Sequence, residues 1–376
     1  MTGHQAVVRV LALVPSLYDT SPGQRFRMEQ WARWLKPEGI AVTFEAFEDE
    51  SLHRVLYQPG RFWRKAKLVA RASWQRASFA RKAADYHVVY LFREAAVWGP
   101  AVVERWLARS GVPLVFDFDD AIFVRYASPA NGYLSYLKFP GKTRTLCRLA
   151  RHVMAGNEYL ARYARAFNGN VTVVPTTIDT TEYRVEARAA HETPVIGWSG
   201  SFSTAQHLDG LRSALQRLAR ERSFRLRVIG APLDYAIPGV DLETLPWKAS
   251  TEVEDLRGID IGVMPLPDDP WSQGKCGLKA LQYMALAIPA VCSPVGVNAD
   301  IVRNGTNGLL AATDDEWVTA LRELLDDPNL RERLGRAARA TVERRYSAAV
   351  HAPAVRDILR AAAEGRTVSR SEGAGA

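Results

Sequence analysis

IDIGVMPLPDDPWSQGKCGLKALQYMALAIPAVCSPVGVNADIVRNGTNGLL, residues 259–310, reads as strand, loop, helix, strand and loop. Ile259 to Leu266 is a short apolar run closed by Pro265 and Pro267, which predicts a buried strand. A polar, turn-rich loop follows from Asp268 to Gly277. Leu278, Leu281, Met284 and Ala285 then recur at helical spacing, so Leu278–Leu286 should pack on a sheet. Pro289 ends that helix, and Ala290 opens the next strand. The loop therefore delivers Gly274, Lys275, Cys276 and Gly277 to a helix N-terminus at the C-terminal edge of a parallel strand. Free N–H groups and the helix dipole favour an anion there, and open α/β sheets bind ligands at that edge. Lys275 and Lys279 add two positive charges. The physical expectation is a site for a phosphate-bearing ligand. Lys279 also has a plainer reading as a solvated helix lysine, but a lysine in a first helical turn opposes the dipole, which favours a functional role.

Length and composition set the frame. The chain has 376 residues, enough for two domains with separate cores. Its hydrophobic content of 47% fits a globular protein, and no apolar run approaches the roughly 20 residues that span a bilayer. Val7 to Val14 reads as a first strand rather than a signal segment. Three scattered cysteines, Cys147, Cys276 and Cys292, suggest reduced thiols and a cytoplasmic protein, and no Cys/His spacing suggests a metal. Charge is lopsided. Residues 1–180 hold 25 lysines and arginines against 15 acids, while the remainder holds 24 against 26. Ser51 to Ala84 carries nine Lys/Arg and no acid, a field that attracts anionic surfaces.

The rest of the chain alternates strands and helices in two similar halves, as doubly wound α/β domains do. Val7–Pro15, a helix over about Arg25–Leu35 and Ile40–Phe44 form a βαβ unit. Arg25 and Arg27 open its helix. They read either as contacts to a phosphate or sugar hydroxyl on the acceptor side, Arg25 more so, or as solvated helix charges. Arg61–Lys82 is a basic helix, with Trp63, Ala66, Ala70, Trp74 and Ala77 on one stripe. Three readings stay open for it: an ordinary amphipathic helix with its aromatics toward the core, an interfacial helix on anionic lipid, or a single-stranded nucleic-acid surface. The last is the least favoured, and no nucleic-acid partner is expected.

Pro113–Phe118 is a strand ending in Asp117, Phe118, Asp119 and Asp120. Such a D-x-D resembles a divalent-cation site, whereas the signals for a phosphate-bearing ligand lie in the second half. His152–Ala155 precedes a helix over Tyr159–Phe167, where Asn157 is an N-cap candidate and only secondarily an acceptor-side ligand. In the second half, Val195–Gly200 leads through Ser201, Phe202, Ser203 and Thr204 into a helix over Gln206–Arg220. Ser201 and Thr204 can reach a phosphate, or Ser203 or Thr204 can cap the helix. Gly230 ends the strand Phe224–Gly230 and lets a nucleotide approach closely.

The stretch GLKALQYMALAIPAVCSPVGVNADIVRNGTNGLL resembles the donor-binding segment of family 4 glycosyltransferases. VVPTTIDTTEY (Val173–Tyr183) and VIGWSGSFST (Val195–Thr204) extend the similarity over most of the chain, most specifically in its second half. The resemblance implies the GT-B fold: α/β, two doubly wound Rossmann-like domains with a cleft between them. The expected division is an acceptor-side domain over 1–180, a linker over 181–193, a nucleotide-sugar domain over 194–346, a helix over 347–366 crossing back to the first domain, and a disordered tail over 367–376.

The resemblance also implies transfer of a sugar from a nucleotide-diphosphate sugar to a glycan, lipid-linked or small-molecule acceptor. Retention of configuration, no metal and no cofactor are implied with it. Donor contacts would come from Gly200, Ser201, Thr204, Gly230, Trp247, Lys275, Gly277, Lys279 and Gln282, with Trp247 lining the base pocket or filling the core. Asp119 takes a position where many relatives carry a histidine facing the sugar. Asp119 or Asp120 is thus expected to act as a catalytic residue beside Lys279, the alternative being a strand-end cap. Many members have two acidic residues where this chain reads Gly274 and Gln282. Gln282 can still hydrogen-bond a ribose hydroxyl, and Asp268 or Asp269 lies just upstream of Gly274. Two rival readings remain: a non-catalytic subunit of the same fold that binds a glycan or a partner enzyme, and a nucleotide-sugar epimerase.

Overall fold

The computed structural model describes residues 7–56, 60–96, 99–125, 139–186, 191–201 and 204–365. The chain divides into two units. The first runs to Pro175 and resumes at His351, and the second is Thr176–Val350. Residues 176–193, read from sequence as the end of the first domain and a linker, thus fall in the second unit. The expected tail over 367–376 lies outside the described residues.

In the first unit the strands are β1 (Val8–Val14), β2 (Ile40–Ala46), β3 (Val88–Phe92), β4 (Leu114–Phe118), β5 (His152–Ala155) and β6 (Val171–Val173). They form one parallel sheet in the order β2-β1-β3-β4-β5-β6. β3, β4 and β5 are buried along their whole length. That is why β3 reads as a continuous apolar run rather than an alternating one, while β4 and β5 add the buried Asp117 and His152 to such a run. The C-terminal helix Ala348–Ala363 places Val355, Ile358, Leu359 and Ala362 in the same core as Val10, Trp31 and Tyr90.

The helix expected from Arg25 begins earlier and is broken. Pro22 occupies its first turn, Arg25–Glu29 forms a wide turn, and regular helix resumes over Gln30–Leu35. Arg27 leaves helical geometry (φ −121°, ψ −119°) and its side chain is fully buried. This corrects the solvated reading of Arg27.

The basic helix spans Phe62–Lys82, and its orientation is the reverse of the simple amphipathic expectation. Trp63 and Trp74 are 83% and 81% exposed, whereas Lys65 and Arg76 are 2% and 1% exposed. Arg76 donates to Val14 O and Glu45 O, both at 2.8 Å, at the carbonyl ends of β1 and β2. The sheet edge needs donors there, and a long aliphatic stem lets an arginine supply them from inside the helix packing.

The second unit contains β7 (Val195–Ser199), β8 (Arg225–Ile229), β9 (Asp241–Leu245), β10 (Ile261–Met264), β11 (Ala290–Cys292) and β12 (Leu309–Leu310). The sheet is again parallel, in the order β12-β11-β10-β7-β8-β9. Trp198, Leu208, Leu215, Val228, Val263 and Leu321 belong to its core. The helix expected over Gln206–Arg220 is two pieces, Ala205–Asp209 and Arg212–Glu221, parted at Gly210, a poor helix former. Helices Glu50–Leu56, Glu252–Arg257 and Asn298–Ile301 carry too little periodic signal to be read from sequence.

Candidate functional site

The second unit gathers the predicted donor residues along the C-terminal ends of β7, β8 and β10. After β10 the chain makes a short turn over Ser272–Gly274, passes Lys275 in extended conformation, and turns at Gly277 with φ 71° into the helix Leu278–Ala285. The positive φ favours glycine here, and a Cβ on Gly277 would also press on the end of the Ile301 side chain. No side chain caps the helix. Its first-turn N–H groups have no intrahelical acceptor and point toward the loop. Asp269 accepts from Ser272 N at 2.7 Å and Asp268 from Gln273 Nε2 at 2.6 Å, so both upstream carboxylates are engaged in shaping that loop.

Lys279 Nζ lies 5.4 Å from the ring centroid of the buried Trp198, at the end of β7, and Lys275 Nζ lies 4.9 Å from that of Trp271. Both lysines are half-buried rather than fully solvated. Trp198 also bounds the loop, because a Cβ on Gly200 would strike its ring and Thr204. Gly230 follows β8 with φ 83°, and a Cβ there would overlap Gly200 O and crowd Trp247. Gly200, Thr204, Gly230, Trp247 and Lys279 are thus linked through Trp198 and the strand ends. Thr204 Oγ1 accepts from Ser201 N at 3.0 Å and does not cap the following helix; Ser203 lies outside the described residues. Tyr283, on the same helix as Lys279, accepts from Ser199 N at 2.9 Å and pins that helix to β7. Burial raises its phenol pKa well above the ordinary value.

His207 completes the electrostatics, and nothing in the sequence had marked it. Burial, then the charges of Lys279 and Lys275, lower its pKa to about 4, so the imidazole is neutral at neutral pH. Its Nε2 is buried without a hydrogen-bond partner among the described residues.

Gln282 is turned into the unit. It is 3% exposed and donates to Tyr183 Oη at 2.9 Å; Tyr183 donates to Glu252 at 2.9 Å, and Trp247 Nε1 donates to the same carboxylate at 2.8 Å. Glu252 thus ties two expected donor residues together, although it sits thirty positions from Gln282 on a helix that sequence reading overlooked.

In the first unit, Asp117, Asp119 and Asp120 have different surroundings. Asp117 is fully buried and receives Arg27 Nε at 2.9 Å, with further bonds from Arg27 Nη2 and the Tyr90 hydroxyl. Burial lowers the Arg27 pKa and Asp117 more than restores it, so the guanidinium stays charged. Arg93 Nε meets Asp119 and Arg93 Nη2 meets Asp120, each at 2.7 Å. Arg93 adopts φ 59° immediately after β3, an uncommon backbone conformation for a residue with a side chain. Gly23 packs against this group, since a Cβ there would crowd Arg93 Nη2 and Asp119. Arg25 pairs with Asp19 at 2.6 Å. Asn157 caps the helix Glu158–Arg165 by accepting from Leu160 N at 2.9 Å, which supports the capping reading. Among the described residues, no group of three or more His, Cys, Asp or Glu side chains could hold a metal ion. No helix of the described residues is long and apolar enough to cross a membrane.

Residues 193–327, inside the second unit, match the family model described as Glycosyl transferases group 1. Among curated proteins, the chain is 30% identical over 263 residues to a D-inositol 3-phosphate glycosyltransferase of Kineococcus radiotolerans, covering 59% of each chain. It is 26% identical over 276 residues to the protein of that name from Saccharomonospora viridis, covering 64% of this chain and 63% of the relative. The chain thus spans less than two thirds of the length of these relatives. A solved glycosyltransferase from Rickettsia africae superposes with a TM-score of 0.67 at 14% identity, over 95% of this chain and 98% of that one. Anabaena HepE in complex with UDP-glucose gives 0.64 at 15% identity, over 94% and 99%. The chain has the GT-B fold, two Rossmann-like units each built on a six-stranded parallel sheet.

Proposed function

We propose that this protein is a glycosyltransferase whose second unit binds a nucleoside-diphosphate sugar and whose basic first unit receives the acceptor. The observation that carries the reading is the uncapped start of the helix Leu278–Ala285, flanked by half-buried Lys275 and Lys279 at the sheet edge. In this reading both lysines and the helix N–H groups would face a diphosphate that gains negative charge as the sugar–oxygen bond breaks. Positive groups already in place there lower the barrier without reorganising. Trp198 beneath Lys279 holds the ammonium through its ring face. The group 1 match over the same segment supports this assignment.

In this reading the acceptor is a glycan, a lipid-linked sugar or a small molecule, and transfer proceeds with retention and without a metal. The work would be cytoplasmic, in polysaccharide or glycoconjugate synthesis. The test is a panel of nucleotide sugars, UDP-glucose first, scored by thermal stabilisation and by release of nucleoside diphosphate with and without EDTA. Stabilisation follows from ligand binding to the native state alone. A protein that neither melts later nor releases nucleotide with any donor would overturn the proposal.

The non-catalytic reading keeps one observation in its favour. Gln282 stands where the resemblance leads one to expect an acid and donates to Tyr183 in the interior, and Gly274 has no side chain. Donor binding without turnover over a broad acceptor panel would favour it.

A further inference from the structure

We propose that the outward face of the helix Phe62–Lys82 is a docking surface for an anionic lipid bilayer. The helix is fixed to the first unit by its opposite side. Lys65, Val69, Ala72 and Arg76 are buried there, three and four residues apart, and Arg76 is bonded to the ends of β1 and β2. The outward side holds Trp63 and Trp74, both more than four-fifths exposed. Eleven residues are close to three full turns, so both indoles point the same way, about 16 Å apart along the axis. Phe62 is also exposed and packs edge-on against Trp63, with ring centroids 5.4 Å apart. Lys67, Ala70 and Arg71 lie between the tryptophans and are exposed, as is Arg81 beyond them. No acidic residue occurs between Ser51 and Ala84.

Two large indoles held in water by a rigid helix are costly, since burying such a side chain is favourable. An aqueous core contact is closed to them because the buried face already belongs to other residues. The headgroup region of a bilayer suits the indole, whose ring is apolar and whose N–H needs a polar partner. Each lysine or arginine near an anionic leaflet adds attraction, and their stems let the charged ends reach lipid phosphates while the indoles enter. The run of cations without acids selects an anionic bilayer over a neutral one. The helix surface is convex, with its two rings far apart. Single-stranded nucleic acid instead needs a groove with closely spaced stacking platforms, so the bilayer is favoured.

This inference is independent of donor binding and is tested without any sugar substrate. The full chain is sedimented with vesicles of phosphatidylcholine alone and of phosphatidylcholine mixed with phosphatidylglycerol. Binding is expected to the mixed vesicles only, weakening as salt rises. Trp63→Ala with Trp74→Ala should weaken it about tenfold or more, as should Lys67→Glu with Arg71→Glu. All four side chains are exposed, and thermal melts of the variants check that folding is unchanged. Absence of binding to mixed vesicles at low salt overturns the proposal, as does unchanged binding by the double tryptophan variant. Binding to single-stranded poly-uridine with none to mixed vesicles would assign the face to nucleic acid and also overturn it.

Discussion

Arg27 and Asp117 stand ninety positions apart in sequence and meet with no exposed surface on either side chain. Arg27 also donates to Val174 O at 2.6 Å and lies with its guanidinium 4.6 Å from the Trp31 ring centroid. One side chain thus joins the helix after β1, the end of β4 and the residue after β6.

Removing one partner leaves the other charge buried. Arg27→Met should destabilise the first unit by about 3–5 kcal/mol, and Arg27→Met with Asp117→Leu by clearly less, since the second change removes the orphaned carboxylate. Denaturant unfolding of the two variants measures the difference. Equal losses would show that Asp117 is not held by Arg27.

Lys279→Ala should lower turnover about hundredfold or more while leaving the melting temperature near that of the parent. The side chain is half-exposed and its ring contact with Trp198 is modest. Steady-state kinetics with the best donor gives the result, and undiminished kcat would remove Lys279 from the site.

Gly230→Ala separates shape from strain. Its φ of 83° and the nearby Gly200 O oppose any side chain, whereas Gly239 has φ 81° with open space around it. Gly239→Ala should cost about 1 kcal/mol from backbone strain. Gly230→Ala should cost more and weaken nucleotide binding as well. Matched melts and calorimetric titration with UDP distinguish the two, and identical behaviour would show that the close approach at Gly230 is dispensable.

Stability should fall in mild acid through His152. Burial lowers its pKa from the ordinary 6.5 to about 4. The unfolded chain therefore takes up a proton before the folded one does, and stability rises with pH between those values. The full contribution is present above about pH 6.5, declines as pH falls and is gone below about 4, an amount on the order of 3 kcal/mol. His152→Gln should reduce the slope over that range, leaving the share of His207, whose pKa is also lowered to about 4. Gln can keep a bond to Thr172, whose Oγ1 lies 2.9 Å from His152 Nε2. An unchanged slope in the variant would show that His152 is not its source.

The β/α alternation, both parallel sheets and the helix start beside Lys279 were legible from residue order because their causes are local. Strands covered on both faces are apolar along their length unless a buried polar group is paired, as β3 and, with Asp117 excepted, β4 show. A helix that begins at Gly277 and ends before Pro289 announces both ends within a dozen residues. Asn157 was legible for the same reason, since a cap acts three residues away. The direction in which polar groups point was not legible. Helical spacing put Trp63 and Trp74 on one stripe, but it could not say whether that stripe faced in. The carbonyl ends of β1 and β2 decided that by drawing Arg76 inward. Likewise Arg27 read as one charge among many until β4 brought Asp117 beside it. Gln282 was placed beside the helix start by residue order, but its bond to Tyr183 and the link to Glu252 came only with the fold. Sequence by itself determined where backbone can hydrogen-bond regularly and which segments must be dry. Tertiary structure alone decided which charges are buried, because a buried charge is stable only beside a partner, and these partners come from distant parts of the chain.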